Sequence, residues 1–508
     1  MQRPGRHLDL CTAARASGFL MSAGLHAALF VLLLWCGGQH DGAQGTDVPF
    51  AKLVSVEAPE AAHAEGSGRF PIEPTWPIPR IHEAPPTLTQ ANALGESPQS
   101  NEQAPANAAQ QDDAVLSQPE VAPPPDIPAT ITIPAPEQAA LIVYLARLAE
   151  RLPADTSAPA RFRWTRNDGQ YDATLRYERA SNGMDFDRVV ADVGTIHRGQ
   201  HLRTRITLRR LPFSQFAHVV DRWDPMVQFH DDEIVGRVHS NTPFNLELDA
   251  HTAPRFLGKV TTAAGTFHAR GRGSRRESDI FLGGIETRAG RIRLPDKLHP
   301  LESSPPDPHV RTHELSTDTH IRFFADGSYS WQARGDARPR HMTAPTDQPV
   351  YFIAAPGVTL YVRGVVAGQV LVYSPYKIVI EGPLLYARDP RAEPSPDYLG
   401  LVSDKFIEIA PPHMTGPGDL EIQAAIFARR RFIITHVHHR RAGTLRVYGS
   451  LSAGSISASE PRYATRIEYD HRFEQHRPPS FPATNRFEIE QWDGTWTEVS
   501  ERTASEGL

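Results

Sequence analysis

Few side chains in this 508-residue chain combine the types and spacing that chemistry requires. Thr435 to Arg441 reads THVHHRR, which puts His436 and His438 on one face of a strand with His439 beside them. A zinc site takes three or four nitrogen, sulfur or carboxylate ligands. No Asp, Glu or Cys stands nearby, and Arg429, Arg430, Arg431, Arg440 and Arg441 would repel a cation. We therefore expect no metal there, but a solvated basic patch. With Arg270, Arg272, Arg275 and Arg276, that patch has the charge to contact an acidic polymer such as peptidoglycan or an anionic glycan. A second group, Phe229-His230-Asp231-Asp232-Glu233 followed by His239-Ser240-Asn241, can be drawn as an acid/base site, because paired carboxylates serve glycoside cleavage. The same residue types are what a tight β-corner uses, so the expected set of catalytic residues is empty. A β-helix polysaccharide lyase or hydrolase is the alternative. Phosphate-loop, zincin, nucleophile-elbow and paired C-x-x-C patterns do not occur, and no cofactor is expected. The third group is Ser22 and His26, four residues apart and so on one face of a helix.

That pair lies in an unusual setting. Gly18 to Gly38 contains no Asp, Glu, Lys or Arg, and about 20 such residues cross a bilayer as a helix. Arg3, Arg6 and Arg15 precede it, whereas Asp41 and Asp47 follow it. The positive-inside rule then places residues 1–17 in the cytoplasm, a single helix over 18–38 in the bacterial inner membrane, and everything later in the periplasm. An ionisable residue inside such a span is a functional hypothesis by default. A cleaved signal peptide would need small residues at a cleavage site after the apolar core, and Gln39 to Gly45 offers no good one. A lipidated Cys36 would follow Trp35, which is too large for that position. Cys11 and Cys36 are the only cysteines and fall on opposite sides of the span, so the exported part has no disulfides.

Much of the 45-residue proline content crowds into the first third, and residues 39–136 read as an extended Pro-rich linker. Over roughly 80 residues at about 3.1 Å each, it could reach on the order of 250 Å when fully extended. From Glu137 the pattern changes. Leu141, Leu145, Leu148 and Leu152 recur at helical spacing, and Pro153 ends the run. A second helix is expected over Pro212 to Asp221. YDATLRYERA and HLRTRITLRRL alternate as strands, so residues 137–345 read as a helix plus β-rich lead-in. From Val350 to Gly454 short β-branched runs follow one another: VYFIAA, VTLYVRG, GQVLVYS, KIVIEG, KFIEIA, DLEIQAAIFA, RFIITHV and TLRVYGSL. Glycines recur near their ends. We read residues 346–500 as a right-handed parallel β-helix, a solenoid in a mainly-β protein, with an ordinary β-sandwich as the competing fold. Asp493-Gly494 between two alternating strands predicts a hairpin that caps the last rung, and 501–508 is a tail. The net charge of -6 points to neither a nucleic-acid binder nor an acidic tail.

Two resemblances follow from these residues. The membrane helix with S-A-G-L-H, the short apolar stretch Val48 to Val56 and the Pro-rich region together resemble TonB-type energy transducers. That resemblance covers about 60 residues. It implies that Ser22 and His26 face ExbB/ExbD-type subunits of a proton-driven motor; a passive anchor is the other reading. The C-terminal region does not look like the small receptor-gripping domain of that family. The second resemblance runs from about Tyr171 to Val499, through G-R-V-H-S-N at Gly236 to Asn241 and the segment after Gly357. It is similar to bacterial envelope β-solenoid proteins, pilus-assembly accessory and polymer-forming proteins among them, and it implies architecture but no activity. The resulting expectation is a non-enzymatic envelope scaffold or binding module, with self-association possible.

Overall fold

Period-two alternation and continuous apolar runs build different sheets, and this chain contains both. The computed structural model describes residues 130–499, apart from 154–157, 167–168, 272–274, 297, 299–308, 344–346 and 439–442. The protein is mainly β. The alternating strands Ala160–Arg166, Gly169–Glu178, Arg188–His197 and Gln200–Pro212 form an antiparallel meander. The predicted helix is present as Ala135–Ala149, beginning at Pro134-Ala135-Pro136, where a missing N–H costs nothing. Its Leu141, Leu145 and Leu148 bury against Val189, Ala191, Leu202 and Ile206 of the meander. The alternating pattern is thus satisfied on one face by the helix.

Apolar runs from Val350 onward form a second, larger sheet with parallel pairing. All eight β-branched runs appear as strands, and Tyr398–Ser403 is a ninth. Each strand pairs not with the next but with the one after it, in two columns. In one column the partners run Phe352, Val372, Leu401, Ile426 and Leu451. In the other they run Ile321, Val362, Ile380, Ile409 and Ile434. These side chains are almost wholly buried. Strands buried on both faces carry continuous apolar runs.

The column does not begin at residue 346, nor does it end at the C-terminus. At one end Arg311–Leu315 and Thr319–Phe323 pair below Val350–Ala354 and Thr359–Val366, and an antiparallel hairpin, Ser328–Ala333 with Arg340–Thr343, covers that edge. At the other end the register continues from Leu451 backwards in sequence to His218, then Val238, Val260 and Ile285. The segment expected to be a second helix is therefore one 3-10 turn, Phe213–Gln215, followed by the strand His218–Val220. Its apolar residues satisfy a rung rather than a helix face.

The expected C-terminal cap is also different. Ala483–Gln491 and Thr495–Glu498 both run antiparallel to Gln200–Pro212, one after the other, so the chain does not reverse at Asp493-Gly494. Asp493 Oδ1 accepts from the backbone N–H (2.9 Å) and hydroxyl (2.7 Å) of Thr495, giving an Asx-type kink within one edge. Thr495–Glu498 in turn accepts Thr130–Thr132.

Close stacking makes glycine obligatory at particular points. Gly449 has φ +138°, and a Cβ there would lie 2.1 Å from the Ala424 carbonyl oxygen of the rung below. Gly357 has φ +84° with open space around it. We expect Gly357→Ala to cost about 1–2 kcal/mol from backbone strain alone, and Gly449→Ala distinctly more, by urea denaturation of the full chain. Equal costs at the two positions would contradict the pairing of Gly449 with Ala424.

Candidate functional site

Parallel stacking lays the corner residues of successive rungs above one another at the ~4.8 Å strand spacing. At one corner the backbone ladder is continuous. Arg429 N donates to Ser403 O (2.8 Å), Gly454 N to Ala428 O (2.9 Å), and Asp221 N to Ala453 O (3.1 Å). Arg222 N donates to Gly454 O (2.8 Å), and Arg430 N to Lys405 O (3.0 Å). Three arginines from distant positions are thereby brought to one edge. The G-R-V-H-S-N motif adds two more through Asn241, whose Nδ2 donates to Asp221 Oδ1 (2.8 Å) and Ile292 O (2.6 Å) while Oδ1 accepts from Ile292 N (2.9 Å). That clamp lays Arg291 and Arg293 beside the corner. The result is an open groove of about 490 Å³ lined by Arg222, Arg291, Arg293, Arg429 and Arg430, with Asp221 and Asp296 as its acidic lining among the described residues.

Part of that charge is spoken for. Asp221 lies 3.5 Å from Arg291 Nη2 and 3.9 Å from Arg222 Nε, and Arg429 Nε donates to Pro295 O (2.8 Å). The exposed guanidinium groups of Arg293 and Arg430 meet no hydrogen-bonding partner among the described residues. An excess of arginine along an open groove favours a polyanion, through bidentate bonds to carboxylate or phosphate.

The basic patch expected from the sequence is therefore only partly assembled. Arg429 and Arg430 line the groove, whereas Arg431 turns away and pairs with Asp224 at 2.6 Å. The Asp224 carboxyl is held below its ordinary range by the Met226 N–H and by Arg431. Arg270 stands opposite Glu247 in a two-stranded parallel ladder, Arg275 donates to Ala250 O, and Arg276 begins the single-turn helix Glu277–Ile280; none of them lines the groove. Arg222, Arg291 and Arg293 were missed, because nothing in linear sequence brings positions 222, 292 and 429 to one corner. Arg272, Arg440, Arg441, His439, Ser22 and His26 lie outside the described residues. His436 and His438 occupy an exposed turn and belong to no metal-ligand group among the described residues.

The acidic run gains a partner that no spacing argument could supply. His230 Nδ1 lies 3.2 Å from Glu460 Oε2, and its Nε2 lies 2.9 Å from Asp249 Oδ2. Ligand atoms of His230, Asp231 and Glu460 fall within 4.8 Å of one another. Asp232, nearly buried, accepts from His230 N (2.9 Å), and burial pushes its carboxyl up to about 7. Glu460 is raised by burial and by the neighbouring Asp231. Burial pulls His230 down, but its bonds to Asp249 and Glu460 outweigh that and leave it raised.

No protein-family model and no curated protein matches the chain. Among solved structures, the competence-associated pilin ComZ from Thermus thermophilus is similar at 11% sequence identity and a TM-score of 0.28, over 72% of this chain and 96% of the pilin. A likeness that slight carries no argument.

Two buried histidines hold the groove's framework. His218 donates from Nδ1 to Leu451 O (2.8 Å) inside the apolar column. His239 bonds Asn241 Oδ1 through Nε2 (2.9 Å), leaving Nδ1 beside the Thr261 hydroxyl (2.8 Å). Burial lowers both to about 4, against about 6.5 when unfolded. Their depressed pKa values mean that the unfolded chain binds more protons in this window. The neutral-state contribution is complete above pH 6.5 and disappears as pH falls towards 4. We expect His218→Asn with His239→Gln to flatten the decline of the urea midpoint between pH 6.5 and 4. An unchanged slope would show that neither ring is buried neutral.

Proposed function

We propose that the chain is a non-enzymatic, membrane-anchored envelope protein whose β domain is a right-handed parallel β-helix that binds an anionic envelope polymer along its arginine corner. The observation that carries this reading is the groove itself: five arginines from three separate stretches of chain, three placed by backbone bonds between rungs and two by the Asn241 clamp, exceeding the acidic lining among the described residues. The two-column parallel register supports the β-helix, since each strand pairs with the second strand along. A rigid rung stack spaces charges at intervals of about 4.8 Å, suited to a repeating polyanion such as peptidoglycan or an acidic glycan. The anchor rests on Gly18 to Gly38; no helix among the described residues is long and apolar enough to cross a membrane. Ser22 and His26 on one face of that anchor make it a target for ExbB/ExbD-type subunits.

The polymer is tested by cosedimentation of the full chain, in mild detergent, with isolated peptidoglycan sacculi. We expect binding that weakens with salt and falls at least about tenfold in Arg293→Glu/Arg430→Glu, with the unfolding midpoint unchanged. Retention by the double variant equal to wild type would remove the groove from the interaction.

The anchor is tested separately by copurification from membranes. If it is driven, ExbB/ExbD-type subunits accompany the wild-type chain, and proton-dependent crosslinking to them vanishes in His26→Ala. Their absence, or a variant that behaves like wild type, would leave a passive tether.

A further inference from the structure

The His230 cluster has a construction that the polymer groove does not use. Its members come from two links that parallel register brings side by side. His230 and Asp231 precede the strand Glu233–Val235, and Glu460 precedes Tyr463–Tyr469; the two strands pair with Glu233 opposite Arg466. Arg466 secures the first link by donating from Nη1 to the Asp231 carbonyl (2.5 Å), and its Nη2 stands 3.7 Å from Asp231 Oδ2. Asp231 Oδ1 is enclosed, yet it has no hydrogen-bond partner among the described residues. An enclosed carboxylate oxygen without a donor costs free energy unless a proton or a cation meets it.

The imidazole is placed by its far side. His230 Nε2 lies 2.9 Å from Asp249 Oδ2 and donates to that carboxylate, which fixes the ring and leaves Nδ1 as the nitrogen that would ligate an ion. Nδ1 points to Glu460 Oε2 at 3.2 Å. A carboxylate behind a histidine whose other nitrogen faces further carboxylates is the arrangement by which metal-binding histidines are oriented. Among the described residues, the carboxyls of Asp231, Asp249 and Glu460 gather around this imidazole, with the Arg466 guanidinium 3.7 Å from Asp231.

We propose that His230, Asp231 and Glu460 form a binding site for a first-row divalent cation of the zinc type, with Asp249 as the positioning residue for the histidine. One imidazole nitrogen and two carboxylate oxygens suit zinc or manganese; the nitrogen disfavours magnesium and calcium, which take all-oxygen sets. Three protein ligands leave at least one coordination position for water or another small ligand. The ion would join two rungs, with ligands from each. This proposal is independent of the polymer reading, because none of its residues lines the arginine groove.

The test is zinc titration by calorimetry on the full-length, tag-free chain in detergent, together with visible spectroscopy after cobalt(II) loading. We expect one zinc per chain at micromolar or tighter Kd. Glu460→Gln and Asp249→Asn, each close in shape to the native residue, should weaken binding by about 10–100-fold, while His436→Ala/His438→Ala leaves it unchanged. The wild-type cobalt form should show d–d absorption bands that Glu460→Gln lacks. Failure of the wild-type chain to take up zinc at about 100 μM would overturn the site, as would wild-type affinity in Glu460→Gln. Wild-type affinity in Asp249→Asn would overturn the positioning role. The cobalt spectrum of the wild-type chain decides the matter even if a variant does not fold.

Discussion

Parallel pairing in strict register is the constraint on which the rest of this domain depends. Once Phe352 lies over Val372, Leu401, Ile426 and Leu451, every inward position of every rung is assigned. A slip of one residue would exchange the inward-facing set of each strand for the set on its other face. The register also makes the corners coincide, so that ladder bonds such as Gly454 N to Ala428 O recur from rung to rung. Glycine is obligatory where backbones approach too closely for a side chain, as at Gly449 over the Ala424 carbonyl. The hydrophobic ladders supply the stabilisation and the backbone bonds supply the alignment.

A stack of this kind has two open ends, and the chain closes them with segments that precede it in sequence. Arg311–Leu315 and Thr319–Phe323 continue the column at one end, with an antiparallel hairpin beyond them. At the other end the register passes from Leu451 to His218, across more than two hundred residues of sequence. His218 therefore fills a position that is aliphatic in the neighbouring rungs. It is tolerated because its Nδ1 reaches the Leu451 carbonyl and the ring stays neutral. The final strands do not cap the column; they lengthen the antiparallel sheet beside Gln200–Pro212, where the helix Ala135–Ala149 closes the second core.

The same geometry creates both polar sites. Corners are where loops leave the column, and stacked corners collect charges that lie far apart in the chain. One corner gathers Arg222, Arg291, Arg293, Arg429 and Arg430, with Asn241 as the clamp. Another gathers His230, Asp231 and Glu460. Asn241 and His239 serve a corner: their bonds determine where neighbouring segments lie.

The sequence by itself determined the element types. Leu141, Leu145 and Leu148 at 4-3 spacing made the helix, because that spacing leaves one face to bury, although the helix stops at Ala149, short of Leu152. Eight β-branched runs each became a strand, because residues buried on both faces need no alternation. It also determined the local amino-acid chemistry of the corners and the apolar character of Gly18 to Gly38. Only the tertiary structure decided the order of rungs, because nothing local to residues 218–220 says that they continue a column ending at Ala453. The same blindness turned PFSQFAHVVD into an expected helix: its apolar spacing fits a helical face, but the neighbouring rung offers bonds that a strand can accept. Asp493-Gly494 reads as a reversal on turn chemistry alone, yet pairing along one partner strand holds it straight. For the sites, sequence showed the arginines in clusters and the acidic run as a run. Which arginines share a groove, and that Glu460 meets His230, depended on interactions hundreds of residues apart, whose energies have no signature in linear spacing.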